Sequence, residues 1–100
     1  MMAKTIQLVN NLYFKAMNKP EELVCYKRQG REIYHAMYKD GCFCLSHYFT
    51  TILIVDVEKK VIVKLGGWSC SDRDAINSIL ELLDFPERVS VAGDYMHLAN

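Results

Sequence analysis

Thr50-Thr51-Ile52-Leu53-Ile54-Val55-Asp56-Val57 decides the fold class of this chain. Its density of β-branched residues suits a pleated strand better than a helix. Ile52 and Ile54 alternate with Leu53 and Val55, so the pattern predicts a central strand covered on both faces. Glu58-Lys59-Lys60 turns the chain. Val61, Val63 and Leu65 then fall on one face of the next strand, Lys64 marks the wetter side, and Gly66-Gly67 ends it.

Towards the N-terminus, Cys42 to Tyr48 pairs back onto Arg31 to Tyr38 through Lys39-Asp40-Gly41, because Asp-Gly supplies the positive φ of a tight hairpin. Tyr34, Ala36 and Tyr38 share one face of the earlier strand, and Ile33, His35 and Met37 share the other. Gln29-Gly30 separates it from a further strand at Leu23 to Lys27. Residues 4–17 change period: Ile6, Val9, Tyr13 and Ala16 recur at helical steps, with Leu8, Leu12 and Met17 widening the stripe before Asn18 and Pro20. Beyond the central strands, Ser71-Asp72-Arg73-Asp74 predicts an N-cap and an acidic first turn ahead of Ile76, Ile79, Leu80 and Leu83, with Asp84-Phe85-Pro86 as the stop. Arg88 to Leu98 alternates loosely and adds an edge strand. The sum is one α+β domain over residues 1–100. A small, mostly antiparallel sheet of four or five strands packs with an N-terminal helix and a helix at about 71–84.

Residues 42–83 resemble a set of small phage and mobile-element proteins of unknown function. The likeness rests on Tyr48-Phe49-Thr50-Thr51-Ile52-Leu53, the turn at Val57 to Lys60, and Trp68-Ser69-Cys70-Ser71-Asp72 before the helix, with Ile76-Asn77 following. In those proteins the strand reads Tyr-Asn-Thr-x-Ile-Ala and the helix entry Tyr-Ser-x-Thr-Thr. Here Phe49 stands for the Asn, Ser71-Asp72 for Thr-Thr, and Ala75 for a common histidine. The resemblance implies a compact strand-strand-helix unit and a phage-like source, and it implies no activity.

Composition narrows the function classes. Of 100 residues, 51% are hydrophobic and 24% charged, which suits a folded chain rather than a disordered one. Twelve basic and twelve acidic side chains give zero net charge, so bulk attraction to nucleic acid or anionic lipid is not expected. The balance hides an asymmetry: residues 1–50 carry seven basic against four acidic groups, and residues 51–100 carry five against eight. No apolar run approaches the ~20 residues of a membrane span. Met1 to Ile6 does not read as a secretory signal, so the expected location is the cytoplasm, with Cys25, Cys42, Cys44 and Cys70 as reduced thiols.

Four constellations bear on chemistry. Cys42 and Cys44 share a strand face, but C-x-C on an extended strand separates the sulfurs by about 6–7 Å, wide for one tetrahedral ion, and no metal or cofactor is expected. Cys70 precedes a helix N-terminus, where a dipole favours a thiolate, and His47 or His35 would be its base. Asp72 and Asp74 oppose that charge, and no catalytic residue is assigned. Gly66-Gly67-Trp68-Ser69-Cys70-Ser71 lacks the lysine of a phosphate-binding loop. The aromatic set (Tyr26, Tyr34, Tyr38, Phe43, Tyr48, Phe49 and Trp68) lies beside Lys27, Arg28 and Arg31. Tyrosine, tryptophan and arginine anchor protein interfaces, and Arg28, Arg31, Tyr34 and Trp68 are the expected contact residues. The sequence therefore predicts a non-enzymatic accessory protein that binds a host or phage protein, such as a bacterial defence nuclease or CRISPR effector. The alternative is a small nucleic-acid-binding module using Lys27, Arg28, Arg31 and the tyrosines. A free sheet edge would also permit a homodimer.

Overall fold

The computed structural model describes residues 3–67, 69–92 and 95–99. Helix α1 (Ala3–Asn18) leads into a five-stranded antiparallel meander: β1 (Val24–Arg28), β2 (Arg31–Lys39), β3 (Cys42–His47), β4 (Thr50–Asp56) and β5 (Val61–Leu65). Helix α2 (Cys70–Leu82) follows, then β6 (Arg88–Ala92) and β7 (Tyr95–Ala99). The architecture is α+β, as the sequence pattern implies. No helix among the described residues is long and apolar enough to cross a membrane.

Both helices pack on one face of the meander. Val9, Leu12, Tyr13 and Ala16 from α1 and Ala75, Ile76, Ile79 and Leu80 from α2 close over Ala36, Phe43, Leu45, Ile52, Leu53 and Val55 of the sheet. Tyr13 meets Phe43 edge-on, with ring centroids 5.0 Å apart. Among the described residues, no helix lies on the opposite face of the sheet.

This one-sided arrangement corrects the expectation of a central strand covered on both sides. β4 lies next to the β5 edge, and its pairing with β3 skips one residue: Leu45 faces Leu53, whereas Ser46 faces Thr51. The bulge turns Ile52 and Leu53 to the same side, and both are buried beneath the helices. Only Ile54 is left for the other face. An extra residue at Ile33 acts similarly on β2, putting Ile33 on the side of Tyr34 and leaving His35 and Met37 opposite. A third slip, at Val63, breaks the face predicted for β5. Ile62 and Leu65 pack against the core, and Val61 and Val63 are exposed.

The C-terminal segment differs too. Instead of joining the main sheet, β6 and β7 form their own hairpin. It is clamped to α2 by Asn77, whose side-chain amide donates to the Val89 carbonyl (2.9 Å) and whose oxygen accepts from the Val89 N–H (2.8 Å). One amide side chain thus pairs with a strand backbone as a neighbouring strand would.

Candidate functional site: the turn end of the sheet

Three two-residue hairpin turns connect the first four strands, each with both central residues at positive φ: Gln29-Gly30 (52°, 77°), Asp40-Gly41 (53°, 81°) and Tyr48-Phe49 (47°, 67°). Such turns match the twist of antiparallel strands and favour asparagine, aspartate and glycine. Asp40-Gly41 complies at both positions and Gln29-Gly30 at its second. The third places bulky aromatic residues at both left-handed positions, where a Cβ crowds the backbone at about 1–2 kcal/mol per residue. Tyr48 and Phe49 are also 58% and 72% exposed, so core packing does not explain them. Each ring lies against a histidine: Tyr48 on His47 (4.6 Å) and Phe49 on His35 (4.7 Å). His47 and His35 point to opposite faces, so the two rings straddle the end of the sheet.

The antiparallel order gathers several segments at this end. Arg28 and Arg31 face one another across the Gln29-Gly30 turn, both exposed, with no ion pair among the described residues. Like charges opposite each other are unfavourable in a strand pair. Gly67 and Ser69, which follow β5, and Asp72 in the first turn of α2 complete the site.

Beneath the surface is a tied cluster. His47 Nδ1 lies 2.7 Å from Asp72 Oδ1, and the His47 ring stacks on Tyr34 at 4.5 Å and 11°. The same aspartate closes a capping box: Asp72 Oδ2 accepts from the Ser69 N–H (3.3 Å), and Ser69 Oγ accepts from the Asp72 N–H (3.1 Å). The N-cap is therefore Ser69, two residues before the predicted Ser71. Both serines begin a Ser-x-x-Asp, and the first is used because its aspartate also reaches His47. Gly67 makes room for this aspartate. It sits at φ +89°, and a Cβ there would lie 2.7 Å from Asp72 Oδ2. A cleft of about 320 Å³ opens between Tyr48, Thr50, Gly67 and Ser69, with His47 and Asp72 in its wall.

The expected contact residues divide. Arg28 and Arg31 lie on the exposed turn end. Tyr34 is corrected: it is 4% exposed, its ring held against His47 and its face of the sheet covered by the helices, so it supports the site rather than contacting a partner. Trp68 lies outside the described residues. Sequence reasoning missed the prominence of Tyr48 and Phe49. The available signal was spacing: a strand read as ending at Tyr48 and another starting at Thr50 leave room only for a tight turn, whatever its chemistry.

Burial, reinforced by the Asp72 carboxylate and by Tyr48 and Asp74, pushes the Tyr34 phenol up to about 12 and keeps it protonated. Ser69 Oγ is engaged in the cap. Cys70 begins α2 and is exposed, with no hydrogen bond to either His47 or His35 among the described residues. His35 faces away, contacting Glu32 at 3.5 Å on the open side of the sheet. Among the described residues, no group of three or more histidine, cysteine, aspartate or glutamate side chains is arranged to hold a metal ion.

No family model matches the chain, and neither curated proteins nor solved structures yield a match.

Proposed function

We propose that the chain is a non-enzymatic binding protein that docks an acidic protein surface through the turn end of its sheet. The supporting observation is the Tyr48-Phe49 turn: two large rings, mostly in solvent, held in a backbone conformation they disfavour. Strain of this kind persists where a site requires it, and exposed aromatics flanked by arginine are the residues that dominate binding energy at interfaces. Arg28 and Arg31 add a local positive charge with no ion pair among the described residues. Asp72 is hydrogen-bonded to His47 and to its own helix cap, and Asp74 is paired with Arg73, so both carboxylates are engaged within the chain. The resemblance of residues 42–83 to phage and mobile-element proteins extends the reading to a bacterial host partner, such as a defence nuclease or CRISPR effector.

The test compares capture from bacterial lysate by the wild-type chain, by Tyr48→Ala/Phe49→Ala and by Arg28→Glu/Arg31→Glu. A protein held stoichiometrically by wild type is expected to bind both variants at least about 30-fold more weakly, the effect of losing roughly 2 kcal/mol at a central contact. Equal capture by all three chains removes the proposal. Anisotropy titration of a single-stranded oligonucleotide at two salt concentrations decides the alternative, since phosphate contacts make affinity fall steeply with salt.

A further inference from the structure

We propose that the open face of the sheet, opposite the helices, is the interface of a two-fold homodimer whose axis runs along β3. This surface is separate from the turn end, and Phe49 only borders it.

The registers place the open-face side chains in rows across the strands. One row runs Met37, Cys44, Ile54, from β2 through β3 to β4, and the next runs Lys39, Cys42, Asp56. β3 is the middle strand of five, so both rows are centred on it. A two-fold axis along β3, lying between two such faces, sets β2 of one chain over β4 of the other. Met37 then meets the partner's Ile54, Cys44 meets the partner's Cys44, and Lys39 meets the partner's Asp56, with each heterotypic contact made twice. A two-fold interface requires this self-complementarity, in which apolar groups oppose apolar groups and each charge opposes its counter-charge.

The charges suit a second copy better than a strongly charged partner. Lys27 is already opposite Glu32 within the sheet. Lys39 and Asp56 have no ion pair among the described residues, and the Lys59 N–H holds Asp56 Oδ1 at 2.9 Å, orienting the carboxylate. Lys64 lies on the outer strand, where an interface remains wet. At the centre Cys44 is half-buried, and that burial raises its thiol above its ordinary value.

The area is of the required order. Five strands about 4.8 Å apart and about six residues long give a face of about 500 Å² in projection. Side-chain relief brings the accessible area towards the roughly 600–800 Å² per partner of a stable complex. The sheet edges suit association less well. β1 presents Lys27 and Arg28 along its edge, and β5 carries a bulge with Lys64, both devices that discourage strand addition.

Sedimentation analysis of the full chain up to about 100 µM tests the proposal. The expected wild-type species has twice the 11.6 kDa chain mass. Ile54→Asp is expected to be monomeric with unchanged circular dichroism. Lys39→Glu weakens the dimer about tenfold or more by setting like charges against each other twice, and Lys39→Glu/Asp56→Lys restores it. If Ile54→Asp fails to fold, the charge-swap pair decides, because Lys39 is exposed. A wild-type monomer throughout the range overturns the proposal. So does a dimer that survives the substitutions at positions 39 and 54 and is broken by Val63→Lys on the β5 edge.

Discussion

Replacing Tyr48-Phe49 by Asn-Gly separates a functional turn from a structural one. Relief of two left-handed aromatic residues returns about 2–4 kcal/mol. Against this stand the contacts of the rings with His47 and His35. With 58% and 72% of the two residues still in water, the burial lost is about 1 kcal/mol each, given roughly 1.5–3 kcal/mol for a fully buried large side chain. Glycine's extra freedom in the unfolded chain removes a further 0.4–1 kcal/mol or so. The net change therefore runs from about 1 kcal/mol against the variant to about 1.6 kcal/mol in its favour. Each kcal/mol raises the melting temperature of a domain this size by about 4–8 °C. Urea unfolding followed by circular dichroism measures the difference directly. The expected variant is no more than about 1 kcal/mol less stable than wild type and has lost its partner. A loss of more than about 1 kcal/mol would refute the reasoning, because the rings would then be holding the sheet end together.

Three further outcomes follow from the packing. Gly67→Ala is expected to cost about 2–4 kcal/mol in the same unfolding assay, combining left-handed strain with displacement of Asp72 from the cap. Gly30→Ala, at φ +77° with open space around it, costs only about 1 kcal/mol. Asn77→Ala leaves the Val89 N–H and carbonyl without their partner, and hydrogen exchange is expected to show opening of the β6–β7 hairpin at a cost of about 1–3 kcal/mol. Alkaline stability depends on Tyr34. Its phenol titrates near 10 when unfolded and about 12 when folded, so above pH 10 the unfolded chain releases its proton first. This contribution is fully present below pH 10 and is lost as pH rises towards 12, on the order of 2 kcal/mol in all, and Tyr34→Phe abolishes that part of the pH dependence.

Much of the fold was legible locally. The helical stripe of α1, the Gln29-Gly30 and Asp40-Gly41 turns, and the Asp84-Phe85-Pro86 stop each carry their own stereochemical reason within a few residues. The site was less legible. Arg28 and Arg31 were recognisable as a basic pair beside a turn. The exposure of Tyr48 and Phe49 was hidden because their turn lacks glycine or asparagine. Tyr34 was misplaced because an aromatic residue near arginines reads alike whether its face of the sheet is covered or bare.

The sequence by itself determined the elements and their order, since period, turn chemistry and capping are short-range properties of the chain. Only the tertiary structure decided which side of each strand is inside. A single extra residue reverses every side chain beyond it, and the bulges at Ile33, Ile52 and Val63 come from pairing between strands rather than from any local signal. Those three slips convert a stretch that looks two-sided into a sheet with one covered face and one open face. The choice of Ser69 over Ser71 as the cap belongs to the same class, because it depends on His47, which lies 25 positions from Asp72 in sequence and 2.7 Å away in space.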